Sequence, residues 1–118
     1  MRSLVVALVG AVALAVASTA LAAPAAKKLN GTVGPGFTIT LKDSTGKVVK
    51  KLKPGAYTIA ISDKASTHNF HLTGPGLNKS TSVPSTGSAT WKVTLKKGKY
   101  HYQCDPHAGS MNGSFTVT

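Results

Sequence analysis

The chain has 118 residues, enough for one small domain, and its single cysteine excludes a fold held by internal disulfides. Thirteen lysines and one arginine face three aspartates, and there is no glutamate. The lysines are scattered or alternate with apolar residues, as in Lys47–Lys53, and the only arginine is Arg2, so the composition argues against nucleic-acid binding. A solvated surface, or attraction to an acidic protein or an anionic envelope surface, would account for this charge.

The N-terminus is typical of a secretory leader. A basic start precedes the apolar run Leu4–Ala17, and Ala20-Leu21-Ala22 offers the small residues that a signal peptidase reads. An uncleaved membrane anchor is the alternative, but the run is short for a bilayer span of about 20 residues. We predict a signal peptide over residues 1–22, cut after Ala22 or slightly later, a linker over 23–30 and a domain over 31–118. This leader predicts export to a periplasmic, extracellular or envelope location.

Short segments of alternating or apolar character follow, with turns between them. Glycine and proline interrupt the pattern at Gly34-Pro-Gly36 and Gly74-Pro-Gly76, where strand pairing would be difficult to continue. No segment has sustained helical periodicity, so the sequence predicts an all-β antiparallel sandwich. The predicted strands are residues 37–42, 47–53, 57–61, 68–72, 89–95, 100–104 and 115–117.

Strand phase sorts the cysteine and the histidines. Cys104 shares a face with two tyrosines of its strand, so it is predicted to point inward, while His101 lies on the opposite face. His68 is in phase with two apolar neighbours, whereas His71 is out of phase with them. Phase therefore favours His68 over His71 and His101 as a buried ligand. His107 lies just past its strand, so its role depends on spacing.

The segment from Cys104 to Met111 reads C-x2-H-x3-M and holds a thiolate, an imidazole and a thioether within eight residues. This soft donor set is the one copper prefers, and a second imidazole from inward-facing His68 would complete a His2Cys plane with a weak axial methionine. Taken alone, Cys104 could be a small buried hydrophobe and His107 an exposed loop residue. Zinc could use the same residues, but methionine is a poor zinc ligand. The combination predicts one bound copper ion.

The same segments resemble the cupredoxins, the blue copper proteins typified by plastocyanin, azurin, amicyanin and pseudoazurin. The resemblance extends from Gly31 to Thr118 and is most specific in Thr67-His-Asn-Phe-His71, Tyr100-His-Tyr-Gln-Cys-Asp-Pro-His107 and Met111-Asn-Gly-Ser-Phe115. It implies a Greek-key β-sandwich of about eight strands. The copper ligands it implies are His68, Cys104, His107 and Met111. It also implies that Asn69 ties the two ligand-bearing segments together.

The resemblance implies a blue copper protein that carries one electron at a time through Cu(I)/Cu(II) cycling, and the leader predicts that it is exported. We do not expect an enzyme, because the sequence shows no Ser/His/Asp arrangement, no carboxylate pair and no histidine pairs for further coppers. Electrons would pass through the edge of His107 to a redox partner protein, for which an acidic surface would suit this lysine-rich chain. We expect a monomer that binds no nucleic acid and is not stably inserted in a membrane once the leader is removed. The alternative is a copper carrier or sequestration protein with the same site and no redox partner.

Overall fold

A computed structural model describes residues 10–17 and 25–118 of the chain. Residues 10–17 have no regular secondary structure and are exposed. Most of the predicted leader, including the predicted cut after Ala22, lies outside the described residues. Within them, no helix is long and apolar enough to cross a membrane.

The described residues form nine strands and one short 3-10 turn, Asp105–His107. The strands are β1 (Lys27–Val33), β2 (Ile39–Asp43), β3 (Lys51–Leu52), β4 (Gly55–Asp63), β5 (His71–Gly74), β6 (Leu77–Ser80), β7 (Gly87–Leu95), β8 (Gly98–Gln103) and β9 (Asn112–Val117). They build two sheets, ordered β2-β1-β4-β7 and β3-β9-β8-β5-β6. This confirms the predicted all-β sandwich, with one strand more than the expected eight. The pairs β1–β4 and β3–β9 are parallel, so the prediction that the sandwich is antiparallel is wrong for these two pairs.

Strand β1 was not predicted and corrects the domain boundary. Residues 27–30, assigned to the linker from sequence, all pair with β4, and Leu29 and Asn30 also pair with β2 on the other side. The buried positions of this strand are Leu29, Gly31 and Val33, and the glycine between the two apolar residues makes the alternation hard to recognise in the sequence. A Cβ at Gly31 would lie 2.6 Å from Ile61 Cδ1, on the neighbouring strand, and 3.0 Å from the Phe70 ring, so a larger residue would have to displace these side chains.

Two further differences concern strand length. Only Lys51–Leu52 of the predicted strand 47–53 is strand, and Val48 contributes a single bridge to Lys42. The predicted strand 68–72 begins at His71, because residues 68–70 belong to the loop that precedes it. Strand β6 was also missed, since only one of its four residues is apolar.

The core lies between the two sheets. Along β4, Tyr57, Ile59 and Ile61 are buried at every second position, and along β8 Tyr100 and Tyr102 are buried in the same way. This is the alternation expected when one face of each sheet packs inward. Aromatic stacking joins neighbouring elements, with ring centroids 5.1 Å apart for Tyr100–Phe115 and 5.5 Å apart for Phe70–Tyr102.

Strand direction brings the candidate ligands to one end of the sandwich. Cys104 follows the last residue of β8, and His68 lies in the loop that follows β4. The Lys64 N–H at the start of this loop donates to the Val33 carbonyl over 2.9 Å, so β1 ends at the same level. The loop after β8 and the loop after β4 therefore meet beside the loop that joins β1 to β2.

Candidate metal centre

Three donor atoms converge at this end. The Nδ1 atoms of His68 and His107 lie 3.2 Å apart, and the Cys104 Sγ lies 3.6 Å from each of them. His68 and Cys104 are buried, with 2% and 0% of their surface exposed, whereas His107 is partly exposed. The predicted burial of His68 and Cys104 is thus correct.

The spacing of these atoms fits a single metal ion. Bonds of about 2.0 Å to nitrogen and about 2.3 Å to sulfur, placed trigonally, separate the donors by about 3.5 to 3.7 Å. The two sulfur–nitrogen distances of 3.6 Å match this, and the nitrogen–nitrogen distance is slightly shorter. Two imidazoles and a thiol in one plane are the donor set that copper uses in blue sites.

Backbone hydrogen bonds close the ligand loop tightly. The Cys104 N–H donates to the Met111 carbonyl over 3.0 Å, and the Met111 N–H donates to the His107 carbonyl over 2.8 Å. The 3-10 turn contains Pro106 and ends at His107, whose own N–H donates to the Cys104 carbonyl. These bonds place Met111, whose side chain is 1% exposed, beside Cys104 and His107, so all four predicted ligands lie on segments that meet at this end.

Asn69 joins the two ligand-bearing segments. Its side-chain NH2 donates to Asp105 Oδ2 over 2.8 Å and to the Thr81 carbonyl over 3.3 Å, and its amide oxygen accepts from the Asp105 N–H over 2.7 Å. Asn69 is 3% exposed and lies in the loop of residues 68–70, which the sequence had assigned to a strand. The position implied by the family resemblance is the one observed.

Asp105 is the centre of this polar network, which the sequence did not indicate. Its Oδ1 also meets His71 Nδ1 at 2.8 Å and accepts a hydrogen bond from Gln103 over 2.9 Å. Partial burial works to raise the pKa of the Asp105 carboxyl, but hydrogen bonds from the three side chains outweigh it and hold that pKa at about 2. The hydrogen bond to Asp105 in turn raises the pKa of His71, and burial lowers it by a smaller amount.

His71 and His101 do not belong to the donor cluster, as strand phase predicted. His71 is held between Asp105 and Asn78, with its Nε2 2.6 Å from the Asn78 Oδ1. His101 is exposed, and its Nε2 lies 3.1 Å from Gln103 Oε1.

Phe37 is a second residue that sequence reasoning missed. The sequence placed it at the start of a strand, but it lies in the loop between β1 and β2 and is 69% exposed. Its ring meets both candidate ligand rings edge-on, with centroids 5.0 Å from His107 and 5.6 Å from His68. Gly34 brings this loop close, since a Cβ there would lie 3.0 Å from His68 Cδ2. An aromatic residue directly after Gly34-Pro-Gly36 was the available signal.

A family model of copper-binding proteins, the plastocyanin/azurin family, matches residues 38–118. The chain belongs to this family. The cupredoxin resemblance drawn from the sequence is thereby confirmed, and the metal that the donor cluster accommodates is one copper ion. No curated protein sequence matches the chain.

Solved structures share the fold at low identity. Reduced rusticyanin is 18% identical with a TM-score of 0.58, covering 77% of this chain and 78% of that one. Dithionite-reduced auracyanin from Roseiflexus castenholzii is 19% identical with a TM-score of 0.55, covering 80% and 99%. A chain of a heme-copper terminal oxidase dimer is 20% identical with a TM-score of 0.53, covering 77% and 63%.

Proposed function

We propose that the protein is an exported one-electron carrier whose copper would be held by His68, Cys104 and His107, with Met111 as a weaker fourth ligand. The observation that carries this proposal is the convergence of the two Nδ1 atoms and the thiol sulfur within 3.6 Å of one another. Family membership supports copper as the metal. The predicted leader over residues 1–22 supports export.

The protein contributes to electron transfer by keeping the metal-binding side chains in fixed positions. When bound, copper supplies a couple between Cu(I) and Cu(II), and a site that suits both states needs little rearrangement as an electron arrives. The Cys104 N–H to Met111 carbonyl bond and the Asn69–Asp105 contacts hold the loops that carry the donors. Burial of His68 and Cys104 excludes water from most of the site.

His107 is the proposed exit for the electron, because among the three clustered donors it alone reaches the surface. Exposed Phe37 and Pro106 and partly exposed Ala108 surround it, so a partner would meet a largely apolar contact. The charged residues near this end are Lys64, Lys79, Asp63 and Asp105, two of each sign. An acidic redox partner therefore stays a prediction from composition, and apolar contact at His107 has the better structural support.

The experiment that tests this proposal starts from the exported protein as a host secretes it. Added Cu(II) is expected to give an intense blue thiolate-to-copper absorption band, which Cys104→Ser abolishes. The matched control is Ser110→Ala, an exposed change in the same loop that leaves the donors intact. A colourless protein that binds zinc as tightly as copper would contradict the proposed site.

Reversible voltammetry separates the carrier from the copper store. A carrier is expected to cycle reversibly and to exchange electrons rapidly between copies, because its donors suit both oxidation states. A sequestration protein would show slow exchange, or would release copper when its oxidation state changes. Either of these results with an intact blue band would reject electron transfer while keeping the ligand assignment.

A further inference from the structure

The positive charge of this protein is concentrated at the end of the sandwich opposite the metal centre. Strand β8 runs from Gly98 at that end to Gln103, directly before Cys104, a separation of about 20 Å at about 3.3 Å per residue. Strands β1 and β4 run parallel to each other and also begin at that end. Strand registers and turns place ten lysines in this half: Lys27, Lys28, Lys47, Lys50, Lys51, Lys53, Lys92, Lys96, Lys97 and Lys99.

The rest of the described domain carries little net charge. Lys42 lies midway along the sheet, and Lys64 and Lys79 lie toward the metal centre, where Asp63 and Asp105 offset them. The ten-lysine half, called the basic end below, contains one acidic residue, Asp43, whose Oδ1 accepts hydrogen bonds within its own turn. The fold thus turns a scattered composition into a charge asymmetry along the long axis of the strands.

A groove of about 400 Å³ opens in the basic end. Four exposed lysines line it, Lys27, Lys28, Lys51 and Lys53. Asp43 also lines it, with its Oδ1 accepting hydrogen bonds from Thr45 and Lys47, so the net charge of the lining is +3. The floor includes Leu29 and Leu52, which are buried or half-buried, so apolar surface lies beneath the ammonium groups. A rim of flexible cations around a shallow apolar floor is suited to a phosphate headgroup.

We propose that the basic end docks on an anionic lipid surface and leaves the metal centre facing away from it. Lysines close to a surface of anionic headgroups add their attractions, and ten of them lie in one half of this domain. All ten are exposed and are distributed over several strands and turns, which suits an extended anionic surface better than a single small anion. This inference is independent of the proposed electron-transfer role.

Vesicle sedimentation of the exported protein, its N-terminus read by mass spectrometry, tests this docking. Vesicles of phosphatidylcholine with about one-third phosphatidylglycerol are compared with phosphatidylcholine alone, at low and at physiological salt. The protein is expected to bind the anionic vesicles, to detach as salt rises and to ignore the neutral ones. Failure to bind the anionic vesicles, or equal binding to both kinds, would overturn the proposal.

Two double variants that lose the same charge distinguish binding through the basic end from binding through the net charge of the whole protein. Lys51→Gln with Lys53→Gln is expected to weaken vesicle binding about 10- to 30-fold, while Lys64→Gln with Lys79→Gln changes it less than about twofold. All four lysines are exposed, so both variants should fold. Since the variants share one N-terminus, any retained leader affects them equally. Equal losses would show that net charge alone acts and would reject the basic end as the docking surface.

The source of the anion and the orientation are tested in the same system. Inorganic phosphate is expected to displace the protein no better than chloride of equal ionic strength; selective displacement would indicate a free-anion site instead. Amide hydrogen exchange on vesicles should slow in residues 27–29 and 44–53 and stay unchanged in 105–111. Slowing confined to residues 105–111 would mean that the metal end docks, which contradicts the proposed orientation.

Discussion

Asn69 and Asp105 are joined by two hydrogen bonds that run in opposite directions. The Asp105 N–H donates to the Asn69 amide oxygen over 2.7 Å, and the Asn69 NH2 donates to the Asp105 carboxylate over 2.8 Å. One residue follows His68 and the other follows Cys104, so this pair fixes the distance between two loops that are 36 positions apart in sequence. We therefore expect the geometry of the donor cluster to depend on this contact.

Replacing Asn69 tests this dependence. Asn69→Ala removes the three hydrogen bonds that this buried side chain makes with Asp105 and Thr81, so we expect a loss of about 1–3 kcal/mol in the free energy of unfolding. The blue band should shift or weaken, because the Cys104 loop is no longer held. Chemical denaturation of the copper-free protein and visible spectroscopy of the copper form measure the two effects. Asn78→Ala, on the far side of His71, is the control and should leave the band unchanged.

The contact of His71 with Asp105 predicts a pH dependence. The carboxylate raises the folded-state pKa of His71, so this contact adds stability below the ordinary histidine pKa of about 6.5 and loses it as pH rises through the raised value. Nuclear magnetic resonance titration of the reduced protein should give a His71 pKa above 6.5, which Asp105→Asn lowers. Asn78→Ala should lower it less, since Asp105 is the stronger influence. A His71 pKa unaffected by Asp105→Asn would contradict the assignment.

The contribution of Asp105 to stability changes with pH in the opposite direction to that of His71. The Asp105 pKa is held at about 2, so the stability that its hydrogen bonds provide is present above its ordinary value of 3.8 and is lost as pH falls toward 2. In Asp105→Asn, the fall in unfolding free energy between pH 4 and pH 2 should be smaller than in the unchanged protein. An identical acid profile in the two proteins would exclude this role for the carboxylate.

Phe37 covers the histidine edges and should tune the metal rather than the fold. Phe37→Ala admits water to the site and favours the more highly charged oxidation state, so the reduction potential should fall by a few tens of millivolts, where about 59 mV is a tenfold change for one electron. Stability should change by less than about 1 kcal/mol, because the ring is largely exposed. Voltammetry measures the shift, with Val48→Ala as an exposed apolar control in the loop after β2. An unchanged potential would show that the ring shields nothing.

Ala108 tests the proposed exit through His107. Ala108→Glu places a charge beside the exposed edge of His107 and should slow electron exchange between copies without removing copper or altering the blue band. Ala56→Glu, an equally charged change at the start of β4, is the control and should exchange as the unchanged protein does. Equal exchange rates for all three proteins would count against His107 as the exit.

Replacing Gly31 tests how closely the side chains around β1 are packed. In Gly31→Ala the new methyl group meets Ile61 and the Phe70 ring, so we expect a loss of about 1–3 kcal/mol in the free energy of unfolding. Gly36→Ala is the matched control, because a Cβ there has open space, and it should stay within about 0.5 kcal/mol. Equal stability of the two variants would show that the sheets adjust without cost.

The sequence by itself determined the fold class and the candidate ligands. Alternation of apolar residues is a local property, and it sufficed to predict most strands and to place Cys104 inward. The spacing of Cys104, His107 and Met111 is also local, since a donor set within one loop must act near one point. Strand phase predicted that His68 is buried, and it is, although it lies in a loop rather than a strand. Its neighbours Asn69 and Phe70 are buried as well, so the burial here does not alternate as it would in a strand.

Only the tertiary structure decided which distant segments meet. The bonds between Asn69 and Asp105, the cover that Phe37 provides and the gathering of ten lysines at the basic end depend on strand order and register. These are set by packing between residues far apart in the chain, as at Gly31, and no local period encodes them. The local pattern therefore identified the donors. The packing of the two sheets decided which residues surround them and placed the basic end opposite the metal centre.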